Sequence, residues 1–146
     1  MAPVIIGSDH AGFELKQALK TYLSERGYKT QDAGCDSTES VDYPDFAKRV
    51  AREVAKATDG TKGILICGTG IGMSIAANKF KGVRAALCLK EYDAQMARNH
   101  NDANIICLGA RTLQKEVAFR VVTTFLKSQF EGGRHARRVA KISSFE

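Results

Sequence analysis

Gly63-Ile64-Leu65-Ile66-Cys67-Gly68-Thr69-Gly70-Ile71-Gly72-Met73-Ser74 is the stretch on which the reading of the fold turns. Its first half is a short apolar run, the pattern of a strand buried on both faces in a parallel sheet. Its second half is a glycine-rich turn, which Ser74-Ile75-Ala76-Ala77-Asn78-Lys79-Phe80 continues as a helix. Glycines let the backbone bend tightly and bring its N–H groups close to a ligand. The first turn of a helix adds unpaired N–H donors and the positive end of its dipole. The junction is therefore expected to hold an anion, either a phosphate or an oxyanion formed during a reaction. Cys67 stands at its lip, where the same field favours a thiolate.

Three known loop motifs fit this stretch poorly. A P-loop needs Lys and Ser/Thr where Met73 and Ser74 stand. The dinucleotide fingerprint is G-x-G-x-x-G, whereas Gly68, Gly70 and Gly72 read G-x-G-x-G; Glu91 does follow at about the expected distance, which keeps a nucleotide-binding module as the alternative. A cysteine phosphatase wants an arginine at the far end of a loop begun by Cys67, and Met73 is there. A cysteine beside an anion hole survives these exclusions, against the plainer alternative of a buried structural cysteine before a tight turn.

Outward from this centre, apolar runs alternate with helical periodicity. Val4–Ser8 reads as a first strand and Asp9-His10-Ala11-Gly12 as the turn after it. Phe13, Leu15, Ala18, Leu19, Tyr22 and Leu23 recur at helical spacing, and Gly27 ends that helix. Residues 29–33 suit an edge strand, a long polar loop runs from Gly34 to Pro44, and Asp45 to Ala57 suits a helix. Residues 82–89 suit a fourth strand, 91–98 a helix, and the polar cluster 99–104 a turn. Ile105–Gly109 follows as a fifth strand, then a helix from Leu113 to Ser128 with Thr112 as its cap, and a short basic helix or tail from Arg134 to Ile142. Five alternations predict an α/β three-layer sandwich, Rossmann-like, with a five-stranded, mostly parallel sheet and a single domain over 1–146.

The 146 residues, 44% hydrophobic and 26% charged, have ordinary globular proportions. No apolar run approaches the ~20 residues of a membrane span, and Met1-Ala2-Pro3 leads into the first strand without a signal peptide. Cysteines 35, 67, 88 and 107 have no C-x-x-C spacing, so reduced thiols in a cytoplasmic protein are expected. Much of the net charge of +6 lies near the C-terminus, in Arg134, Arg137, Arg138 and Lys141. No nucleic-acid motif accompanies it, and an anionic small substrate accounts for it equally well.

In parallel sheets, ligands bind beyond the carboxyl ends of the strands. Asp9-His10, Cys67–Gly72 and Arg111 all follow a strand and so share one edge. A metal site built from Asp9, His10, His100 and His135 lacks tight ligand spacing. Arg134 and Arg138, four apart, point the same way on a helix and suit a phosphate. A thiolate at an anion hole, two histidines and paired arginines suit isomerisation of a phosphorylated sugar. That reaction needs a base beside the carbonyl, donors for the enediolate oxygen, a ring-opening acid–base group and a phosphate clamp, but no metal or redox cofactor.

Gly7-Ser8-Asp9-His10-Ala11-Gly12-Phe13, Cys67–Gly72 with Ser74–Lys79, His100-Asn101-Asp102, and Gly132-Gly133-Arg134-His135 with Arg138 closely resemble the type B ribose-5-phosphate isomerases. The broader family includes allose-6-phosphate and galactose-6-phosphate isomerases. The resemblance implies interconversion of ribose 5-phosphate and ribulose 5-phosphate by a homodimer, in some members paired into tetramers, with active sites across the subunit interface. It implies Cys67 as base, Thr69 as an assisting hydroxyl, and His100 as the ring-opening group. The backbone of Gly68, Gly70, Ile71 and Gly72 matches the anion hole. Asp9 matches a sugar ligand, and His10, Arg134 and Arg138 phosphate contacts, with the arginines reaching in from the partner. Asn101 and Arg111 fall on further ligand positions, and Tyr43 suits the pocket wall. Relatives acting on other sugar phosphates share these residues.

Overall fold

Three wholly buried apolar strands carry the centre of the sheet: β1 (Val4–Ser8), β3 (Lys62–Cys67, buried from Gly63 on) and β5 (Ile105–Gly109). Such runs need cover on both faces, which helices supply. β2 (Thr30–Asp32) and β4 (Ala85–Leu87) are three-residue, partly exposed edges. The computed structural model, which describes residues 1–146, orders them β2-β1-β3-β5-β4 with every pairing parallel. β4 is shorter than the run 82–89 suggests. The N–H groups of Arg84 and Ala85 donate to the side chains of Asn104 and Asn78, both at 2.8 Å, instead of to a strand.

α1 (Phe13–Glu25), α4 (Glu91–Asn99) and α5 (Lys115–Lys127) cover one face, with Leu19, Leu23, Ala94, Val121 and Phe125 against Ile64, Ile66, Ile106 and Leu108. α2 (Tyr43–Lys56) and α3 (Ile71–Ala77) cover the other, with Phe46, Val50, Val54 and Met73 against Leu65, Ile105 and Cys107. α6 (Arg134–Ser143) is a helix that buries only His135. No helix is long and apolar enough to cross a membrane.

Two helix starts differ from the sequence reading. α2 begins at Tyr43, two residues early, because Pro44 suits the first turn, where its missing N–H costs nothing. α5 begins at Lys115, since the Thr112 hydroxyl donates to Gly109 O at 3.2 Å and so does not cap the helix. Lys16 is buried although charged: its ammonium donates to both carboxylate oxygens of Asp32, at 2.7 and 2.6 Å. Burial raises the Asp32 carboxyl, but the Lys16 and Lys20 ammoniums and the Gly34 N–H outweigh it and hold Asp32 below the usual carboxylate range.

Candidate active site

Strand order reverses between β1 and β3, since β2 flanks β1 on one side and the later strands extend on the other. Crevices of open parallel sheets lie at this point, beyond the carboxyl ends. Asp9 leaves β1 there, its N–H donating to Ile66 O at 3.1 Å, so it stands beside Cys67 at the end of β3. One Asp9 carboxylate oxygen accepts the Gly12 N–H at 3.1 Å. That bond closes the turn ahead of α1 and does not cap the helix, whose flanking residue is Gly12. The long loop folds back so that the Val41 N–H donates to His10 Nδ1 at 3.2 Å.

The Cys67 loop is shaped by glycine. Gly70 adopts φ +80°, the left-handed region, and a Cβ on it would lie 2.9 Å from the Leu108 carbonyl carbon. This twist turns the Gly70 N–H back onto Cys67 Sγ, at 3.2 Å. The Ile71 N–H donates to Thr69 Oγ1, also at 3.2 Å, which leaves the Thr69 hydroxyl hydrogen free. The N–H groups of Gly68, Thr69, Gly72 and Met73 have no acceptor in the protein. Arg111 is held by its own N–H to Gly68 O at 3.0 Å, and its guanidinium lies over Gly68, 3.1 Å from where a Cβ would stand. The Tyr43 ring covers Gly72, where a Cβ would be 2.5 Å from it. Cys67, only 5% exposed, thus sits among donors. By contrast, burial pushes the thiol of Cys88 up to about 12 and that of Cys107 up as well, so these remain neutral. All four cysteines are free.

The carboxyl edge therefore gathers Asp9, His10, Tyr43, Cys67, Gly68, Thr69, Gly70, Ile71, Gly72 and Arg111. It does not gather His100, Asn101, Arg134 or Arg138. Cys67 pairs with Gly109 at the end of β5, whereas His100 and Asn101 precede its first residue, Ile105. At ~3.3 Å per residue the four steps of β5 alone separate the two edges by about 13 Å, more than an open-chain pentose phosphate bridges. Asn101 lines a groove of about 630 Å³ with Arg84, Ile142 and Phe145 at this amino edge.

His100 and the start of α6 form one unit there. The Glu131 N–H donates to Asn99 O at 3.0 Å, and Gly132 and Gly133, with φ of +68° and +56°, turn the chain into α6. His135 then stacks on His100 with ring centroids 4.1 Å apart and planes 11° from parallel. Glu131 Oε1 stands 3.6 Å from the Nε2 of each ring. Burial and the neighbouring His100, Arg134 and Arg138 hold the His135 imidazole below its usual value, against the opposing charge of Glu131. Arg134 and Arg138 project into solvent from successive turns of α6. Asp9 and His10 are at the far edge, so the four-residue cluster Asp9-His10-His100-His135 does not assemble. Glu131 was missed in the sequence, although it lies four residues before His135, a spacing that brings side chains together.

Comparison with known proteins adds the family. Residues 4–142 match the model of the Ribose/Galactose Isomerase family. The chain is 48% identical to ribose-5-phosphate isomerase B of Escherichia coli over 100% of this chain and 97% of that protein. It superposes on the type B ribose 5-phosphate isomerase of Trypanosoma brucei with a TM-score of 0.95, at 48% identity and with 100% of both chains covered. It superposes on ribose-5-phosphate isomerase B of Mycoplasma genitalium, solved with bound ribulose-5-phosphate, with a TM-score of 0.94 at 44% identity, covering 98% and 95% of the two chains.

Proposed function

The chain belongs to the Ribose/Galactose Isomerase family, and from that premise we propose that Cys67 is the base of an aldose–ketose isomerase interconverting ribose 5-phosphate and ribulose 5-phosphate. The relatives named ribose-5-phosphate isomerase B and the ribulose-5-phosphate complex of one of them support the substrate. The observation that carries the role of Cys67 is the Gly70 N–H aimed at its sulfur from 3.2 Å. Together with the unpartnered N–H groups around it, this donor favours negative charge on the sulfur and on a substrate oxygen beside it.

The reaction follows from the two edges. An acid–base imidazole moves a proton from the C1 hydroxyl while the ring oxygen gains one, and the furanose opens. The Cys67 thiolate removes the C2 proton of the open aldose, and the electron pair moves through C1 to O1. The N–H groups of Gly68, Thr69, Gly72 and Met73 receive the enediolate charge, each such donor being worth about 3 kcal/mol in comparable sites. The Thr69 hydroxyl, with its hydrogen free, assists transfer between O1 and O2. Return of the proton from Cys67 to C1 completes the ketose. Asp9 accepts from the sugar hydroxyls, and Tyr43 and Arg111 wall the pocket.

The ring-opening and phosphate groups come from a second copy of the chain. His100, Asn101, Arg134 and Arg138 share the amino edge, too far from their own Cys67. A two-fold dimer laying the amino edge of one subunit on the carboxyl edge of the other completes two equal sites. Exposed Ile71, Ile75, Leu89 and Tyr92 support a surface that a partner covers. His10 and the paired guanidiniums then clamp the phosphate from both sides. Four free thiols fit a cytoplasmic enzyme.

Replacing Cys67 by Ser tests the base. A serine hydroxyl is far too weak an acid to supply an equivalent anion, so turnover should fall about 10²–10⁴-fold while binding of a substrate analogue persists. Near-native turnover in Cys67→Ser would reject the assignment.

A further inference from the structure

The amino-edge cluster offers a second chemistry that isomerisation does not use. A ring nitrogen of His100, a ring nitrogen of His135 and a Glu131 carboxylate oxygen all lie within 4.8 Å of one another. Each carboxylate–imidazole separation is 3.6 Å, beyond hydrogen-bond length, so no shared proton locks the three together. Their backbones are nonetheless fixed: the His100 N–H donates to Met96 O at 2.9 Å, Glu131 to Asn99 O at 3.0 Å, and His135 to Gly132 O at 3.0 Å. A tetrahedral ion with arms of about 2.1 Å sets neighbouring donors about 3.4 Å apart, so the two carboxylate–imidazole edges need to close by only a few tenths of an ångström.

We infer that His100, Glu131 and His135 form a binding site for a divalent transition-metal ion of the Zn²⁺ class. Two imidazoles and one carboxylate suit Zn²⁺, Ni²⁺ or Cu²⁺ rather than Mg²⁺ or Ca²⁺, which prefer all-oxygen shells. Three protein donors leave a fourth position open to water. The stacked rings must fan apart for both lone pairs to converge. His100, with 39% of its side chain exposed, is the ring free to turn, while buried His135 keeps its place.

The ion occupies the His100 nitrogen, and it replaces a proton there. Bound metal therefore inhibits the isomerase, and metal and sugar phosphate exclude one another. This consequence rests on His100 belonging to the substrate site; the binding of metal does not.

Calorimetric titration of the full-length protein with ZnCl₂, without sugar phosphate, tests the site directly. One ion per chain should bind with a dissociation constant in the micromolar range. Glu131→Gln and His135→Asn should each weaken it at least tenfold, and Cys67→Ala should leave it unchanged. Co²⁺ in place of Zn²⁺ should give the intense visible bands of a four-coordinate site, lost in the same two variants. Absence of saturable binding overturns the proposal, as does binding that survives Glu131→Gln and His135→Asn but disappears in Cys67→Ala. Ribulose 5-phosphate should raise the apparent constant linearly with its free concentration, as mutually exclusive binding requires. If the ion needs Glu131 and His135 yet ignores ribulose 5-phosphate, the metal site stands and the placing of His100 against the substrate falls.

Discussion

Mixing two inactive variants decides whether the halves of the site come from different subunits. In a dimer of Cys67→Ala with His100→Asn, one site combines a damaged carboxyl edge with a damaged amino edge. The other combines the two intact edges. Loss of an acid–base group costs about 10²–10⁴-fold, so each parent retains about a hundredth of native turnover or less. Random exchange of equal amounts makes about half of the dimers mixed, each with one working site of two, so activity should recover to about a quarter of wild type. The gain over either parent is then roughly 25-fold or more. A control follows from the placement of His100 beside α6. His100→Asn mixed with Arg134→Ala/Arg138→Ala carries both lesions on amino edges, so every site has one, and no activity should return. Tagged subunits exchanged in mild denaturant and purified as mixed dimers allow turnover to be read per dimer. Silence from the first mixture, once mixed dimers are verified, would refute the shared site; recovery in the control would separate His100 from the arginines.

Gly70→Ala must accommodate a Cβ at φ +80° and 2.9 Å from the Leu108 carbonyl carbon, so urea denaturation should show a loss of at least about 2 kcal/mol. Turnover should fall with it as the N–H leaves Cys67; native stability and activity together would mean that the loop tolerates another twist. In His100→Asn, turnover of cyclic ribose 5-phosphate should fall far more than solvent proton exchange into open-chain ribulose 5-phosphate, which has no ring to open; an equal fall in both assigns His100 another role. Asp32→Asn leaves buried Lys16 without its counter-charge and should cost about 1–3 kcal/mol near neutral pH. Because the folded-state carboxyl titrates below its unfolded value, its contribution is present above about pH 4 and disappears as pH falls through the lower folded value. Stability curves of the two proteins should therefore approach one another as the pH falls below about 4, and a gap that does not narrow in acid would contradict the ion-pair account.

The centre of the fold was legible because its signals are local. The runs Val4–Ser8, Gly63–Cys67 and Ile105–Gly109 need burial on both faces, and that requirement alone implies parallel strands under two helical layers. The edges were less legible. Residues 82–89 look longer as a strand than β4 is, because the side chains of Asn78 and Asn104 take the N–H groups of Ala85 and Arg84. Lys16 occupies an inward position of α1 only because Asp32 meets it, a pairing that no local pattern announces. At the site, Asp9, Cys67 and Arg111 each follow a strand and were placed correctly by that fact. The same rule places His100 and Asn101 at the opposite edge, since they precede β5. Local pattern does not say what meets that opposite edge, for which the proposed function calls on a second chain.

The division between edges also accounts for where the protein tolerates unsatisfied groups. In the loop that follows Cys67, the N–H groups of Gly68, Thr69, Gly72 and Met73 have no acceptor in the protein, and that of Gly70 is given to the sulfur. The core on either side is closely packed, and Leu87 and Leu108 press against Gly70, which stops the loop from relaxing toward its own carbonyls. The Gly70 N–H therefore remains aimed at Cys67 Sγ without reorganising when charge develops there. At the amino edge the corresponding excess is positive: Arg134 and Arg138 project without a carboxylate partner of their own. In the proposed dimer, an anionic substrate between the two copies would meet the free N–H donors of one edge and the guanidiniums of the other. On that proposal, the mutual need of the two edges, more than any single residue, explains why a small sheet protein of net charge +6 would need a partner to act on a sugar phosphate.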